Sequence, residues 1–448
     1  MSKLMVSVSG IRGVVGETLT PEVITDYTYA YAEFVQKGKV IVGRDSRITG
    51  EMVKDIVTGV LLSKGLEVVD IGIVPTPTVQ FTVKDQKAQG GIAISASHNP
   101  NEWNALKLLN GTGEFLSPEE NKILIKFLDK QKNYNAWDKI GKRTEYFEAI
   151  DKHIEAILNL EIIDVEKIKE RKFKVLLDCV NGAGVYSVPK LLSQLGCEVI
   201  EYNCDKSGIF PRLPEPLPEN LTETFEMVKI SNVDLGIVVD PDVDRLVLIT
   251  EKGEPFGEEN TIAQCVKYAL SKIKGNVAIN LSTTRAVEDI AKDFNCSVYR
   301  SPVGEANVVK KMKEIGAIIG GEGSGGVIFP AIHYGRDALV GIALTLQNLC
   351  ENKITISELK ENLPQYFISK KKIELTKSPD EIIKHLIEKY SQNQINIDDG
   401  LRIDFEDYWV HLRKSNTEPI IRILAEAKTK DMAEKIAEKF YQEIKSLI

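Results

Sequence analysis

Lys39-Val40-Ile41-Val42-Gly43-Arg44-Asp45-Ser46-Arg47 runs from an apolar stretch straight into a charged turn. A short apolar run bounded in this way reads as a buried strand. A helix follows, because Val53, Ile56, Val57, Val60 and Leu61 recur at helical spacing and Gly65 stops the run. Leu66-Glu-Val-Val-Asp-Ile71 then reads as the next strand. The same opening restarts at Phe173-Lys-Val-Leu-Leu-Asp178, with the turn Asn181-Gly182-Ala183-Gly184 and a helix through Val188, Leu191 and Leu192. It restarts once more at Asn276-Val-Ala-Ile-Asn280, with Ser282-Thr283-Thr284 and a helix through Val287, Ile290 and Ala291. Alternation of this kind predicts layered α/β domains. Three openings at intervals of roughly a hundred residues predict three related ones.

The tail has a different rhythm. Leu401-Arg-Ile-Asp-Phe405 and Tyr408-Trp-Val-His-Leu-Arg413 alternate like half-exposed antiparallel strands, and a helix from about residue 429 turns Ile436, Phe440 and Ile444 inward. The expected organisation is therefore three α/β domains, residues 1–154, 155–255 and 256–368, and a smaller α+β domain at 369–448. The last boundary is set at the charged stretch Ser369-Lys-Lys-Lys-Ile373. A chain of 448 residues is long enough for several cores.

Composition narrows the function. A net charge of −8 argues against nucleic acid or a membrane surface as partner, so an anionic substrate must be met by local arginines and lysines. The six cysteines are scattered without a CxxC pair or metal-type spacing, which reads as reduced thiols in a cytoplasmic protein. No apolar run approaches the ~18 residues a membrane span needs, and the N-terminus does not read as a signal peptide.

Four polar loops, far apart in sequence, carry the chemistry. Ser95-Ala96-Ser97-His98-Asn99-Pro100 follows the apolar run Gly90-Gly91-Ile92-Ala93-Ile94, which places Ser97 just past a strand end, where open α/β folds collect ligands. A serine hydroxyl is a poor nucleophile unless a base or a metal activates it. His98 is adjacent and expected to point away, so a hydrolase triad is a weak reading. In the second loop, Asp240-Pro241-Asp242-Val243-Asp244-Arg245 lies between the apolar runs Leu235–Val239 and Leu246–Thr250. Its aspartates alternate along what reads as an extended connection, and three carboxylates at a strand end repel one another without a cation. An EF-hand is the rival. It fails because Arg245 takes the position that needs glycine, and strands flank the loop instead of helices. Mg²⁺ is the favoured ion, since it leaves a position open for a phosphoryl oxygen.

Gly320-Gly321-Glu322-Gly323-Ser324-Gly325-Gly326 reads as a loop after the strand Ala317-Ile-Ile319, with Glu322 and Ser324 able to bond paired hydroxyls such as those of a pyranose. Arg413-Lys414-Ser415-Asn416-Thr417-Glu418-Pro419, with Arg422 beyond, joins two expected strands and gathers guanidiniums, hydroxyls and turn N–H groups suited to a dianion.

In this order, these loops resemble those of the α-D-phosphohexomutase superfamily, which holds phosphoglucomutases, phosphomannomutases and phosphoglucosamine mutases. The resemblance extends to Ser9-Gly10-Ile11-Arg12-Gly13, to Gly43-Arg44-Asp45-Ser46-Arg47 and to Pro302-Val303-Gly304. It implies four domains around a central cleft, each supplying one loop. It implies that Ser97 carries a transferable phosphate and that Asp240, Asp242 and Asp244 hold Mg²⁺ beside it. Lys107 becomes a general acid/base, with His98 counted in the catalytic group. Arg12 and Arg245 orient the transferring phosphoryl group. Glu322, Ser324 and Gly325 hold the sugar, and Arg413, Ser415, Asn416, Thr417 and Arg422 grip the phosphate that stays. A hexose 1,6-bisphosphate serves as intermediate and activator, and the protein is expected as a monomer or homodimer.

Three positions depart from the commonest pattern of that superfamily. Ala105 stands where glycine usually follows Asn104, Pro241 stands where glycine is frequent, and Gly326 stands where many members carry histidine. His333, in His333-Tyr-Gly-Arg336-Asp337, is a candidate substitute for that histidine. The combined motifs look most like the phosphoglucosamine branch, with phosphomannose and phosphoglucose as alternative substrates. An aspartyl-phosphate phosphatase using Asp240 and Asp242, and a silent phosphosugar sensor, are the more distant readings.

Overall fold

The computed structural model describes residues 4–7, 10–375, 378–414 and 420–447. The opening run forms the strand Lys39–Arg44, which lies parallel to Glu67–Ile73 on one side and Gly90–Ile94 on the other. Helices Gly50–Ser63 and Thr76–Asp85 make the crossovers. Trp103–Leu109 and Gly10–Val14 extend the sheet in antiparallel fashion, and it reaches seven strands with Met5–Ser7 at one edge and Arg143–Glu145 at the other. Chain order reverses around Lys39–Arg44, and at such a switch point loops leave room for a ligand. Arg44 pairs with Ile94, so the Arg44–Arg47 turn and the Ser95–Pro100 loop emerge side by side. Val40, Val42, Val53, Val57, Leu61, Ile92 and Ile94 form the core beneath them.

A second sheet has the order Leu246–Thr250, Leu235–Val239, Lys174–Asp178, Glu198–Tyr202. Its last three strands are parallel, and the first returns antiparallel to its neighbour. Leu235–Val239 and Leu246–Thr250 are buried along their whole length, as continuous apolar runs require. Asp240–Arg245 is the connection between them. The helix Ala338–Asn352 is apolar nearly all round and buried, and the Asp337 side chain caps it by accepting from the Leu339 and Val340 N–H groups.

These elements belong to one of two compact units, Met1–Thr261 with Ser324–Leu359; the other is Ile262–Gly323 with Lys360–Ile448. Within the second, Val277–Asn280 is flanked by parallel strands Val298–Ser301 and Ile319–Glu322. The tail forms the expected antiparallel sheet, in the order Phe367–Glu374, Ile420–Ala427, Tyr408–Lys414, Leu401–Asp404, Gln394–Asn396. Helix Lys430–Lys445 buries Ile436, Phe440 and Ile444 against it. The charged stretch at 369–373 is part of the strand Phe367–Glu374, an edge strand whose lysines are only partly covered.

The glycine-rich segment differs from its expected form. The strand continues to Glu322, with Gly320 and Gly321 paired to Ala278 and Ile279, and a Cβ at Gly320 would come within 2.6 Å of Met312 Sδ and 2.7 Å of Ala278 O. That glycine serves close packing of helix Glu305–Ile315 rather than a ligand. Only residues 323–325 turn, before the strand Gly326–Ile328. Among the described residues no helix is long and apolar enough to cross a membrane.

Candidate active site

Ser97 is held by a frame of buried polar bonds. Its backbone is left-handed, with φ +49°, a conformation costing on the order of 1 kcal/mol for a non-glycine residue. Four hydrogen bonds sustain it. Ser95 Oγ accepts from the Ser97 N–H at 3.0 Å and donates to Asp45 Oδ2 at 2.6 Å. Arg47 Nη2 donates to the Ser97 and Asn99 carbonyls at 2.7 and 2.6 Å. Arg47 is itself paired with Asp45 and lies over the Phe210 ring, 4.7 Å from its centroid. Both members of the pair are buried, and breaking such a pair costs about 3–5 kcal/mol. Asp45 and Arg47 thus explain the charged turn that opens the first domain.

The Ser97 hydroxyl donates to Asp240 Oδ2 at 2.8 Å and lies 3.2 Å from His98 Nδ1. The expectation that His98 points away is therefore wrong: the left-handed residue folds the loop so that adjacent side chains converge. Burial, with Arg245 and Arg12 adding to it, pulls the imidazole down to about 2, so it is neutral and a poor base.

Asp240, Asp242 and Asp244 sit in a tight turn instead of an extended connection. Val243 N donates to Asp240 O at 3.0 Å, Val243 has φ +62°, and Asp240 Oδ1 accepts from the Asp244 and Arg245 N–H groups at 3.1 and 3.2 Å. Wrapping the chain in this way brings one carboxylate oxygen of each aspartate within 4.8 Å of the others. Asp242 Oδ2 accepts from Thr76 Oγ1 and Lys107 Nζ, both at 2.5 Å, and Asp244 Oδ2 accepts from Arg336 Nη2 at 2.6 Å. The remaining oxygens, Asp242 Oδ1 and Asp244 Oδ1, are buried and lack a hydrogen-bond partner. Burial and the two neighbouring carboxylates push the Asp240 carboxyl well above the ordinary range. Burial would do the same to Asp242, but the Lys107 ammonium and the Thr76 hydroxyl hold it below. Partnerless carboxylate oxygens beside a third aspartate fit a hard divalent cation such as Mg²⁺.

Antiparallel pairing sets Arg12 opposite Ala105 and Gly10 opposite Lys107, which puts the Arg12 and Lys107 side chains on one face as diagonal neighbours. Gly10 is required there, since its φ is +120° and a Cβ would meet Leu106 O at 1.9 Å. Ala105 is accommodated in the regular strand, its N–H held by Asn104 Oδ1 at 2.8 Å. Arg12 Nη1 donates to Asn99 Oδ1 at 2.7 Å, and Arg245 Nη1 lies 3.6 Å from Glu215 Oε1. Gly325 lies at the Leu246 end of the acidic turn, its carbonyl accepting from the Leu246 N–H at 3.0 Å, and Ser324 is half-buried beside it. His333 does not stand in for a site histidine. It is buried, and its Nε2 is 3.1 Å from Asp337 Oδ2, an oxygen shared with His153 Nε2 at 2.8 Å.

In the other unit, Glu322 Oε1 accepts from Asn280 Nδ2 at 2.9 Å and Gly304 N at 3.0 Å, which fixes the carboxylate at a strand end. Arg413 pairs with Asp399 at 2.8 Å and lies opposite Arg422 on the neighbouring strand, with Lys372 opposite Arg422 on the next. Three cations side by side repel, and Asp399 offsets one of them, so the cluster favours a further anion. Ser415, Asn416 and Thr417 lie outside the described residues. Sequence reading gives no role to Thr76, Arg336 or Lys372; the first two bond aspartates far away in the chain, and the third meets Arg422 only through strand pairing, so no local pattern marks them.

Four family models cover nearly the whole chain: phosphoglucomutase/phosphomannomutase α/β/α domains I, II and III match residues 3–135, 151–253 and 258–367, and the C-terminal domain matches 370–443. A phosphoglucomutase/phosphomannomutase of Thermococcus kodakarensis is 38% identical over 439 residues, 96% of each chain. The chain belongs to the phosphoglucomutase/phosphomannomutase family. It is accordingly a phosphohexomutase with the four-domain α/β architecture of that family. A phosphoglucosamine/phosphogalactosamine mutase of Sulfurisphaera tokodaii is 35% identical over 460 residues, 100% of this chain and 99% of that one. Among solved structures, a family member from Burkholderia thailandensis superposes with a TM-score of 0.86 at 26% identity, covering 99% of this chain and 98% of its own.

Proposed function

We propose that this phosphohexomutase interconverts glucosamine 6-phosphate and glucosamine 1-phosphate through a phosphoserine at position 97 and a 1,6-bisphosphate intermediate. The observation that carries the reading is the Ser97 hydroxyl 2.8 Å from Asp240, in a turn whose Asp242 and Asp244 each keep one buried oxygen unpartnered. Asp240, Asp242 and Asp244 would hold Mg²⁺, which neutralises charge on the transferring phosphoryl oxygens.

This chain's own groups do the rest. The free hydroxyl of the sugar phosphate attacks the phosphorus of phosphoserine 97; the P–O bond to Ser97 Oγ breaks as the bond to the sugar oxygen forms. Lys107 would relay the proton: its ammonium gives one to the departing Ser97 Oγ, and the amine left behind takes the one that the sugar hydroxyl releases. Arg12 and Arg245 stabilise the charge that spreads over the equatorial oxygens. The bisphosphate then turns end for end and returns its other phosphate to Ser97. Glu322, Ser324 and Gly325 hold ring hydroxyls common to both orientations. Arg413 and Arg422, with Ser415, Asn416 and Thr417, grip the phosphate that is not transferred, and Lys372 joins them. Several relatives bear phosphoglucosamine mutase names, which supports the amino sugar.

A competition tests the substrate. Purified protein is given Mg²⁺, a trace of hexose 1,6-bisphosphate and equal glucosamine, mannose and glucose 6-phosphates, and each 1-phosphate is followed by ³¹P NMR. Dominant glucosamine 1-phosphate is expected. Dominant mannose or glucose product reassigns the sugar, and inorganic phosphate without any 1-phosphate contradicts the mechanism.

A further inference from the structure

Arg336 approaches the acidic turn from a segment with no assigned role. By bonding Asp244 Oδ2 at 2.6 Å it leaves Asp244 Oδ1 as a buried oxygen without a hydrogen bond, with Arg245 Nε 3.9 Å away. Its side chain is 13% exposed, and its stem passes over Gly326. A Cβ on Gly326 would lie 2.4 Å from Arg336 Cδ and 3.0 Å from Cγ. Gly326 is not among the glycines with positive φ, so what the position needs is space, not backbone freedom.

The segment that carries Arg336 is fixed to the turn. The Asp337 N–H donates to Val327 O at 2.8 Å, and the Ala338 N–H donates to Val243 O at 3.1 Å, inside the acidic turn itself. The Asp337 carboxylate is gripped by His153 and His333 through Oδ2, while Oδ1 caps the buried helix. All three side chains are buried, and Thr78 Oγ1 holds the far nitrogen of His153 at 3.0 Å. Thr78 lies two residues after Thr76, whose hydroxyl bonds Asp242. The buried histidine–aspartate–histidine cluster therefore ties together the two segments that grip Asp242 and Asp244.

We propose that Arg336 is a positioning residue for Asp244. It occupies one carboxylate oxygen so that the other is turned toward a divalent cation, and the bare Gly326 gives its side chain the route. This rests on the reading that the acidic turn binds a cation. A merely charge-neutralising arginine has the opposite signature: removing it would leave the site more negative and tighten cation binding.

The test is direct Mn²⁺ titration, by calorimetry and by electron paramagnetic resonance, of the unphosphorylated parent, Arg336→Ala, Gly326→Ala and the double variant. Mn²⁺ is used because carboxylate sites that take Mg²⁺ take it too. The parent binds, and each single substitution weakens binding about tenfold, as loss of a group that orients a ligand does. The double variant is no weaker than Arg336→Ala, because the added methyl then meets no stem. Unchanged or tighter binding by Arg336→Ala overturns the proposal. So does a Gly326→Ala effect that persists in full without Arg336. If Arg336→Ala fails to fold, Gly326→Ala alone decides, and parent-like binding by it overturns the proposal. No Mn²⁺ uptake by the parent sinks the cation reading and this inference with it, a result distinct from a parent that binds and variants that match it.

Discussion

Replacing Asp240 by asparagine should stabilise the cation-free protein while abolishing turnover. The three aspartates bring one oxygen each within 4.8 Å of the others. At an effective dielectric near 20, two unit charges at that spacing repel by about 3.5 kcal/mol. Asp240 has two such neighbours and no exposure to water, and its carboxyl is pushed well up by burial, Asp244 and Asp242 together. The Arg245 charge and the Ser97 hydrogen bond return part of this cost. Asparagine keeps the local bonds: its oxygen still accepts from the Asp244 and Arg245 N–H groups, and its amide donates to Ser97 Oγ. A net gain of about 2 kcal/mol follows, visible as a higher unfolding midpoint by calorimetry in EDTA. Added Mg²⁺ should then raise the parent's midpoint by mass action and leave the variant's unmoved. A variant that unfolds earlier than the parent in EDTA would refute the like-charge reasoning.

Three further outcomes are expected. Lys107→Met should lower kcat by about 10²–10⁴ as an acid/base group is lost, and should destabilise the cation-free protein by about 3 kcal/mol because Asp242 loses its buried partner; steady-state rates and melting in EDTA check the two halves. Asp45→Asn should free the serine loop, read as faster amide exchange over residues 95–100 and a lower kcat with little change in KM. The His411 imidazole, pulled down to about 4 by burial with the nearby Arg413 charge, should make the fold acid-sensitive. Unfolding returns it to about 6.5, so the unfolded chain binds the extra proton and stability falls by about 3 kcal/mol as pH drops from about 6.5 to about 4. His411→Asn should flatten that slope in a plot of melting midpoint against pH.

Much of the fold is legible in the sequence because hydrophobic periodicity is local. The openings at Lys39, Phe173 and Asn276 become strand, turn and helix near their expected positions, and the alternating tail becomes an antiparallel sheet. Local pattern fails where one residue type serves two purposes. Gly320 looks like a loop glycine and is a packing glycine inside a strand. The acidic segment alternates like an extended chain, yet backbone N–H bonds to Asp240 curl it into a turn. His98 reaches Ser97 only because Ser97 is left-handed, which its sequence does not announce. Arg336 and Thr76 reach the aspartates from 92 and 166 residues away, beyond the range of any spacing rule.

The most direct test asks where the exchanged phosphoryl group resides. The protein would be stripped of phosphate by excess hexose monophosphate, recharged with hexose 1,6-bisphosphate, digested and sequenced by mass spectrometry, beside a Ser97→Ala control. One phosphoryl group on Ser97, stable to hydroxylamine, gained and lost in step with activity and absent from the inactive control, is the expected result. Sustained turnover by Ser97→Ala, or a hydroxylamine-labile phosphate on Asp240, would contradict it.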